Sequence, residues 1–210
     1  MNKSSIALIG SGGHAKVILD ILNKSGIKGI KVLDDDPSRT GSEILGVKIT
    51  GTCAWLTGKS NEYQVIIGIG SNKVRKAVSV QLKRAGFTFA TAIHPCSVIG
   101  EDVKIGEGTV IMANAVINSG TRIGRHCIIN TSVSIDHDNI IGDFVHFSPG
   151  SVTGGTVKVG SGTWVGLGSR IINNITIGKE VIIAAGSAVI KDTEDKVLVA
   201  GVPARTKKEL

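Results

Sequence analysis

The chain has 210 residues, is 41% hydrophobic and 20% charged, and carries a formal charge of +7. That balance excludes a disordered chain and allows a buried core. Aromatic residues are scarce at 3% and glycine is abundant at 28 residues, which favours many short strands and tight turns over a helical globule.

Taken in chain order, "SSIALIG" (residues 4–10) reads as a short apolar strand running straight into glycines, not as a signal peptide. Val17, Ile18, Ile21 and Leu22 recur at helical spacing, Gly26 ends the helix, and "IKVLDDD" is the next strand. "YQVIIGIGSNKVRKAVSVQLKRAG" repeats the pattern, with a helix from about Asn72 that stops at Gly86. The alternation predicts a Rossmann-like α/β unit with a parallel sheet of about four strands, spanning residues 1–94. Gly10-Ser11-Gly12-Gly13-His14-Ala15 matches G-x-G-x-x-A, and Asp34 follows about 20 residues later. Three readings remain open from these residues alone. They are a dinucleotide site, a nucleotide-diphosphate site on the helix N-terminus, and glycines that serve only a tight turn. The unit lacks the second mononucleotide half, which argues against the first.

From Val98 the sequence falls into sixes without a slip of phase: VIGEDV, KIGEGT, VIMANA and so on to AVIKDT at 188–193. The second position is Ile or Val in 14 of the 16 sixes, with Phe147 and Thr153 the exceptions. A period of six excludes an α-helix. It predicts a solenoid in which one aliphatic side chain per short strand points inward. Inside this run, "SIDHDN" (134–139) places a histidine between two aspartates, where the pattern is otherwise apolar or small. Imidazole there could serve as a general base, or His137 could be a surface residue on a corner. In a strand, neighbours 137 and 138 point to opposite faces, so Asp138 can assist only if the backbone turns; Asp136 has the same problem, and Asp143 is a further candidate.

Other chemistry has little support. The three cysteines, Cys53, Cys96 and Cys127, show no C-x-x-C spacing, so a disulfide scaffold, a zinc site and a cysteine nucleophile are not expected. The histidines show no ligand spacing and no metal is expected. No apolar run approaches the ~20 residues of a membrane span, and no basic-aromatic stretch points to nucleic acid. A reducing cytoplasm is the expected setting.

"GSGGHAKV" with "LDDD", the solenoid stretch "NTSVSIDHDNIIGDFVHFSPGSVTGG" and the closing "VLVAGVPARTKKEL" together resemble one family. It is the group of sialic acid O-acetyltransferases and N-acetyltransferases of nucleotide-linked 4-amino-4,6-dideoxy sugars. The resemblance covers nearly the whole chain. It implies a left-handed parallel β-helix over residues 95–210, about five coils, homotrimers with sites between neighbouring solenoids, and acetyl-CoA as co-substrate. Carried over by position, it implies that His137 is the base and Asp138 its acidic neighbour. Asn130 lies beside the acceptor. His146 and Gly155 line the thioester, with the Gly155 N–H as oxyanion donor, and Leu167 and Ala185 contact the pantetheine arm. Gly12, Gly13, His14, Asp34, Asp35 and Gly70 form the nucleotide-sugar pocket. His146 could equally be a solenoid corner, and the three aspartates from Asp34 a solvated turn. The implied activity is acetylation of the 4-amino group of such a sugar for bacterial surface glycan or glycoprotein. O-acetylation of sialic acid is the alternative within the fold, and a non-catalytic scaffold the alternative outside it.

Overall fold

The computed structural model describes residues 5–210. They divide into two compact units, Met1–Pro95 and Cys96–Leu210.

The first unit is built from β1 (Ser5–Ile9), α1 (Gly13–Lys24), β2 (Lys31–Leu33), β3 (Glu43–Ile44), β4 (Val47–Gly51), β5 (Tyr63–Ile67) and α2 (Asn72–Arg84). The sheet order is β3-β4-β2-β1-β5. β1, β2, β4 and β5 pair in parallel, and β3 joins β4 as an antiparallel hairpin. The sheet therefore has five strands where about four were expected. The hairpin turns on Leu45 and Gly46, both at positive φ. A two-residue turn of that kind usually announces itself with Asn or Asp, and leucine hides it. Ala7, Leu8 and Ile9 are all buried, as a central parallel strand covered on both faces requires. Both helices end alike. Gly26 (φ 77) and Gly86 (φ 85) take the left-handed conformation, and the next residue returns its N–H to a carbonyl five residues back.

The second unit is a left-handed parallel β-helix. Two-residue strands recur every six residues from Val98–Ile99 to Ala188–Val189. Each pairs with the strand 18 residues away, as Val116 does with Val98 and Ser134, so three sixes make one triangular coil. The inward second position is buried from Ile111 onward, including Phe147 (0% exposed) and Thr153 (1%), so the two exceptions in sequence obey the same geometry. The fifth residue of each six up to Gly186 turns the corner at positive φ whether or not it is glycine, as at Asp102 (54°), Asn114 (58°) and Asp138 (57°). The tail closes the helix with an antiparallel hairpin, Val197–Gly201 with Ala204–Glu209.

Candidate active site

His137 lies just past the strand Ser134–Ile135, where the chain turns toward the strand Ile140–Ile141. Ile135 keeps the inward position and is wholly buried, leaving His137 outside the core. The left-handed Asp138 swings its carboxylate back, so that Oδ2 lies 2.9 Å from His137 Nδ1. The opposition expected of strand neighbours is thus removed by the corner, and the short aspartate reaches. A carboxylate only accepts, so Nδ1 carries the hydrogen and Nε2 keeps a free lone pair.

Glycines one coil away on either side make room for this pair. A Cβ at Gly120 would lie 2.5 Å from Asp138 Oδ1, and a Cβ at Gly155 would lie 2.6 Å from His137 Cε1 and Nε2. Asp136 accepts from the His137 N–H and from Asn118 Nδ2, both at 2.8 Å. Those hydrogen bonds, Asn118 first, hold its carboxyl below the usual range. The hydrogen bond that His137 donates to Asp138, followed by the charge of Asp136, raises the His137 pKa. Asp143 belongs to the next corner, where it binds Arg125 at 2.7 Å. It is therefore not the acid supporting His137.

His146 is on the strand His146–Phe147, facing outward, and is not a corner residue. Its Nε2 lies 3.3 Å from Asn130 Nδ2, and its ring stacks on Trp164 at 6.1 Å with an interplanar angle of 10°. Trp164 in turn donates from Nε1 to Ser148 Oγ at 2.8 Å. Leu167 and Ala185 are exposed and stack 18 residues apart on a further corner, between the sheet containing Trp164 and the sheet containing Arg170. The fold thus joins His137, Asp138 and Gly155 on one corner and Asn130 with His146 on one face, while Leu167 and Ala185 occupy a second corner. Sequence reasoning missed Trp164 and the buried Asn139. An aromatic in a run almost free of aromatics was the available signal for the first.

In the α/β unit, Ser11 donates its N–H (2.8 Å) and its hydroxyl (2.5 Å) to Asp34 Oδ2, and the Asp36 N–H donates to Oδ1 (3.0 Å). Partial burial pushes the Asp34 carboxyl up, but these hydrogen bonds outweigh it and hold the pKa low. Asp34 therefore braces the glycine turn, and Asp36 caps the short turn at Pro37–Arg39. Asp35 accepts from the Cys53 N–H at 2.8 Å. Burial, then Asp35, pushes the Cys53 thiol up to about 12, which removes it as a nucleophile. Gly12 caps α1 without any side-chain hydrogen bond, whereas Ser71 caps α2 with its own hydroxyl. A Cβ at Gly12, Gly13 or Gly70 would meet nothing within 4 Å. Gly70 follows β5 and Gly12 follows β1, adjacent parallel strands, so both loops lie at the carboxyl edge of the sheet. His14 is half-buried in the first turn of α1. Arg75, 1% exposed, holds the second loop by donating to the Ile69 and Gly70 carbonyls. A separate groove of about 550 Å³, bordered by Lys31, Lys48 and Thr50, includes none of these residues. Among the described residues, no group of three or more His, Cys, Asp or Glu could hold a metal ion.

Residues 5–82 match the model of the PglD N-terminal domain. The chain is 39% identical over 119 residues to UDP-N-acetylbacillosamine N-acetyltransferase of Bacillus subtilis (strain 168), an alignment that takes in 52% of this chain and 51% of that protein. The chain thus spans about half the length of that curated relative. The solved structures reach further. A point variant of perosamine N-acetyltransferase from Caulobacter crescentus, in complex with CoA and GDP-perosamine, is 35% identical, with 98% of this chain and 97% of that chain covered and a TM-score of 0.91. The acetyltransferase domain of PglB from Neisseria gonorrhoeae FA1090, in complex with acetyl coenzyme A, is 30% identical, with 98% and 100% covered and a TM-score of 0.92. The chain belongs to the nucleotide-sugar N-acetyltransferase family. The Bacillus and Caulobacter proteins are both N-acetyltransferases. Among the described residues no helix is long and apolar enough to cross a membrane.

Proposed function

We propose that this protein transfers the acetyl group of acetyl-CoA to the 4-amino group of a nucleotide-linked amino-dideoxy sugar, for bacterial surface glycan or glycoprotein. The observation that carries the reading is the corner where His137 Nδ1 is held by Asp138 and Nε2 faces Gly155. The sugar amine attacks the thioester carbon, forming the C–N bond and a tetrahedral oxyanion. The Gly155 N–H steadies that oxyanion. His137 Nε2 accepts the proton that the amine sheds and delivers it to the departing thiolate as the C–S bond breaks. Asp138 keeps the ring in the competent tautomer and stabilises the imidazolium.

The uncapped N-terminus of α1, with open space at Gly12, Gly13 and Gly70, supports binding of the diphosphate there, next to His14. Asp35 lies beside the same edge, and Asp34 acts by fixing the turn. Leu167 and Ala185 flank the pantetheine arm, and Asn130 and His146 lie beside the reacting groups. Because these residues fall on different corners and faces of the triangular solenoid, the reading includes a homotrimer in which neighbouring copies complete each site. The setting proposed is the cytoplasm, where acetyl-CoA is made.

The test is CoA release with UDP-, GDP- and dTDP-linked 4-amino-4,6-dideoxy sugars and with free sialic acid. Release is expected with at least one nucleotide sugar and not with free sialic acid. Release with sialic acid alone, or with none of the four, overturns the reading.

A further inference from the structure

The sixth residue of each six points into the corner of the coil. That position holds Val, Thr, Ala, Cys, Ser or Ile throughout, except at 139, where it holds Asn. Asn139 is wholly buried. A buried amide is unfavourable unless hydrogen-bonded, and valine fills the equivalent place at 145 and 157. The fold alone does not require an amide here.

The amide Nδ2 donates to the carbonyls of Asp136 (2.7 Å), Gly154 (3.0 Å) and His137 (3.2 Å). The Asn139 N–H donates to Thr121 Oγ1 at 3.2 Å, and the Thr121 hydroxyl donates to the Asp136 carbonyl at 2.8 Å. The Asp136 and His137 carbonyls belong to the two peptide groups on either side of the His137 α-carbon, so they set the direction in which the imidazole leaves the backbone. The Gly154 carbonyl shares its peptide plane with the Gly155 N–H, which points the opposite way. That N–H has no acceptor among the described residues. A hydrogen bond at the carbonyl end of a peptide polarises it and strengthens the N–H as a donor.

We infer that Asn139 is a positioning residue that ties the base to the oxyanion donor across two successive coils, orienting His137 through the Asp136 and His137 carbonyls and the Gly155 N–H through the Gly154 carbonyl. This rests on the proposed roles of His137 and Gly155. Asn139 touches no reacting atom and acts only through the peptides it holds.

The experiment compares wild type, Asn139→Val, Asn139→Thr and His137→Ala, using acetyl-CoA with the UDP-, GDP- and dTDP-linked 4-amino-4,6-dideoxy sugars. It reads kcat and KM separately, with circular dichroism for the fold. Asn139→Val is expected to stay folded with both KM values within about twofold, while kcat falls roughly 10- to 100-fold, the range of a misplaced catalytic group. Asn139→Thr keeps one donor and is expected to recover part of the loss. Unchanged kcat in Asn139→Val beside an inactive His137→Ala overturns the inference and leaves the function standing. Unchanged kcat in both overturns the role of His137 as well. A rise in KM at constant kcat, or loss of the fold in both Asn139 variants, assigns the residue to binding or to stability and overturns the inference.

Discussion

Glycine serves opposite ends in the two units. At the carboxyl edge of the α/β sheet, a side chain on Gly12, Gly13 or Gly70 would meet nothing. On the solenoid corner, a side chain on Gly120 or Gly155 would strike Asp138 or His137. The first set leaves room for something outside the chain. The second leaves room for the chain's own reactive side chains. The lesson is that a glycine-rich motif marks a ligand site only where neighbouring atoms give no other reason for the missing Cβ. Gly68 shows the contrast within the first unit, because a Cβ there would lie 2.6 Å from the Ala15 Cβ, so it serves helix packing.

The comparison is most exposed at His137. His137→Ala is expected to leave the coil folded, since Ile135 supplies the inward contact, and to lower kcat by about 10²–10⁴. Steady-state kinetics showing near-normal kcat would reduce the corner to a polar bend. Gly155→Ala comes next. Its methyl would fall on the imidazole, and a displaced base is expected to cost on the order of 10²-fold in kcat with the fold retained. If Gly155→Ala keeps full activity, the glycine does not serve the histidine.

Gly12→Val tests the other half. It is expected to weaken sugar-nucleotide affinity by roughly tenfold, about 1.4 kcal/mol, with CoA affinity nearly unchanged. Calorimetry showing the reverse would exchange the ligands assigned to the two units. The smallest effect is expected from Asp138→Asn, which removes the first cause of the raised His137 pKa while leaving the base in place. A base works unprotonated, so activity falls as pH drops through its pKa. With that pKa lowered, the acid limb of the kcat/KM profile should move to lower pH, with a loss at the plateau smaller than that of His137→Ala. An acid limb that stays where it is would mean that another group sets it.

The site was partly legible before the fold was known. His137 stood out because charge interrupts an aliphatic repeat. Asp34 stood out because of its spacing from the glycines, yet its carboxylate turned inward to Ser11. Asn139 and Trp164 went unread, one hidden at a position that normally carries a small or aliphatic side chain and the other on an outward face where the repeat imposes no pattern.

The period of six was enough to specify the solenoid, because one inward side chain per strand is a local rule that every hexad obeys separately. The alternation of apolar runs and glycine turns was enough for the α/β class. The pairing of His137 with Asp138, the contact of Gly155 with the imidazole and the three carbonyls held by Asn139 were decided only in three dimensions. Stacking at 18-residue intervals brings residues of successive coils into contact, and the left-handed corner reverses the direction of neighbouring side chains. In neither case does the linear order tell which side chains will meet.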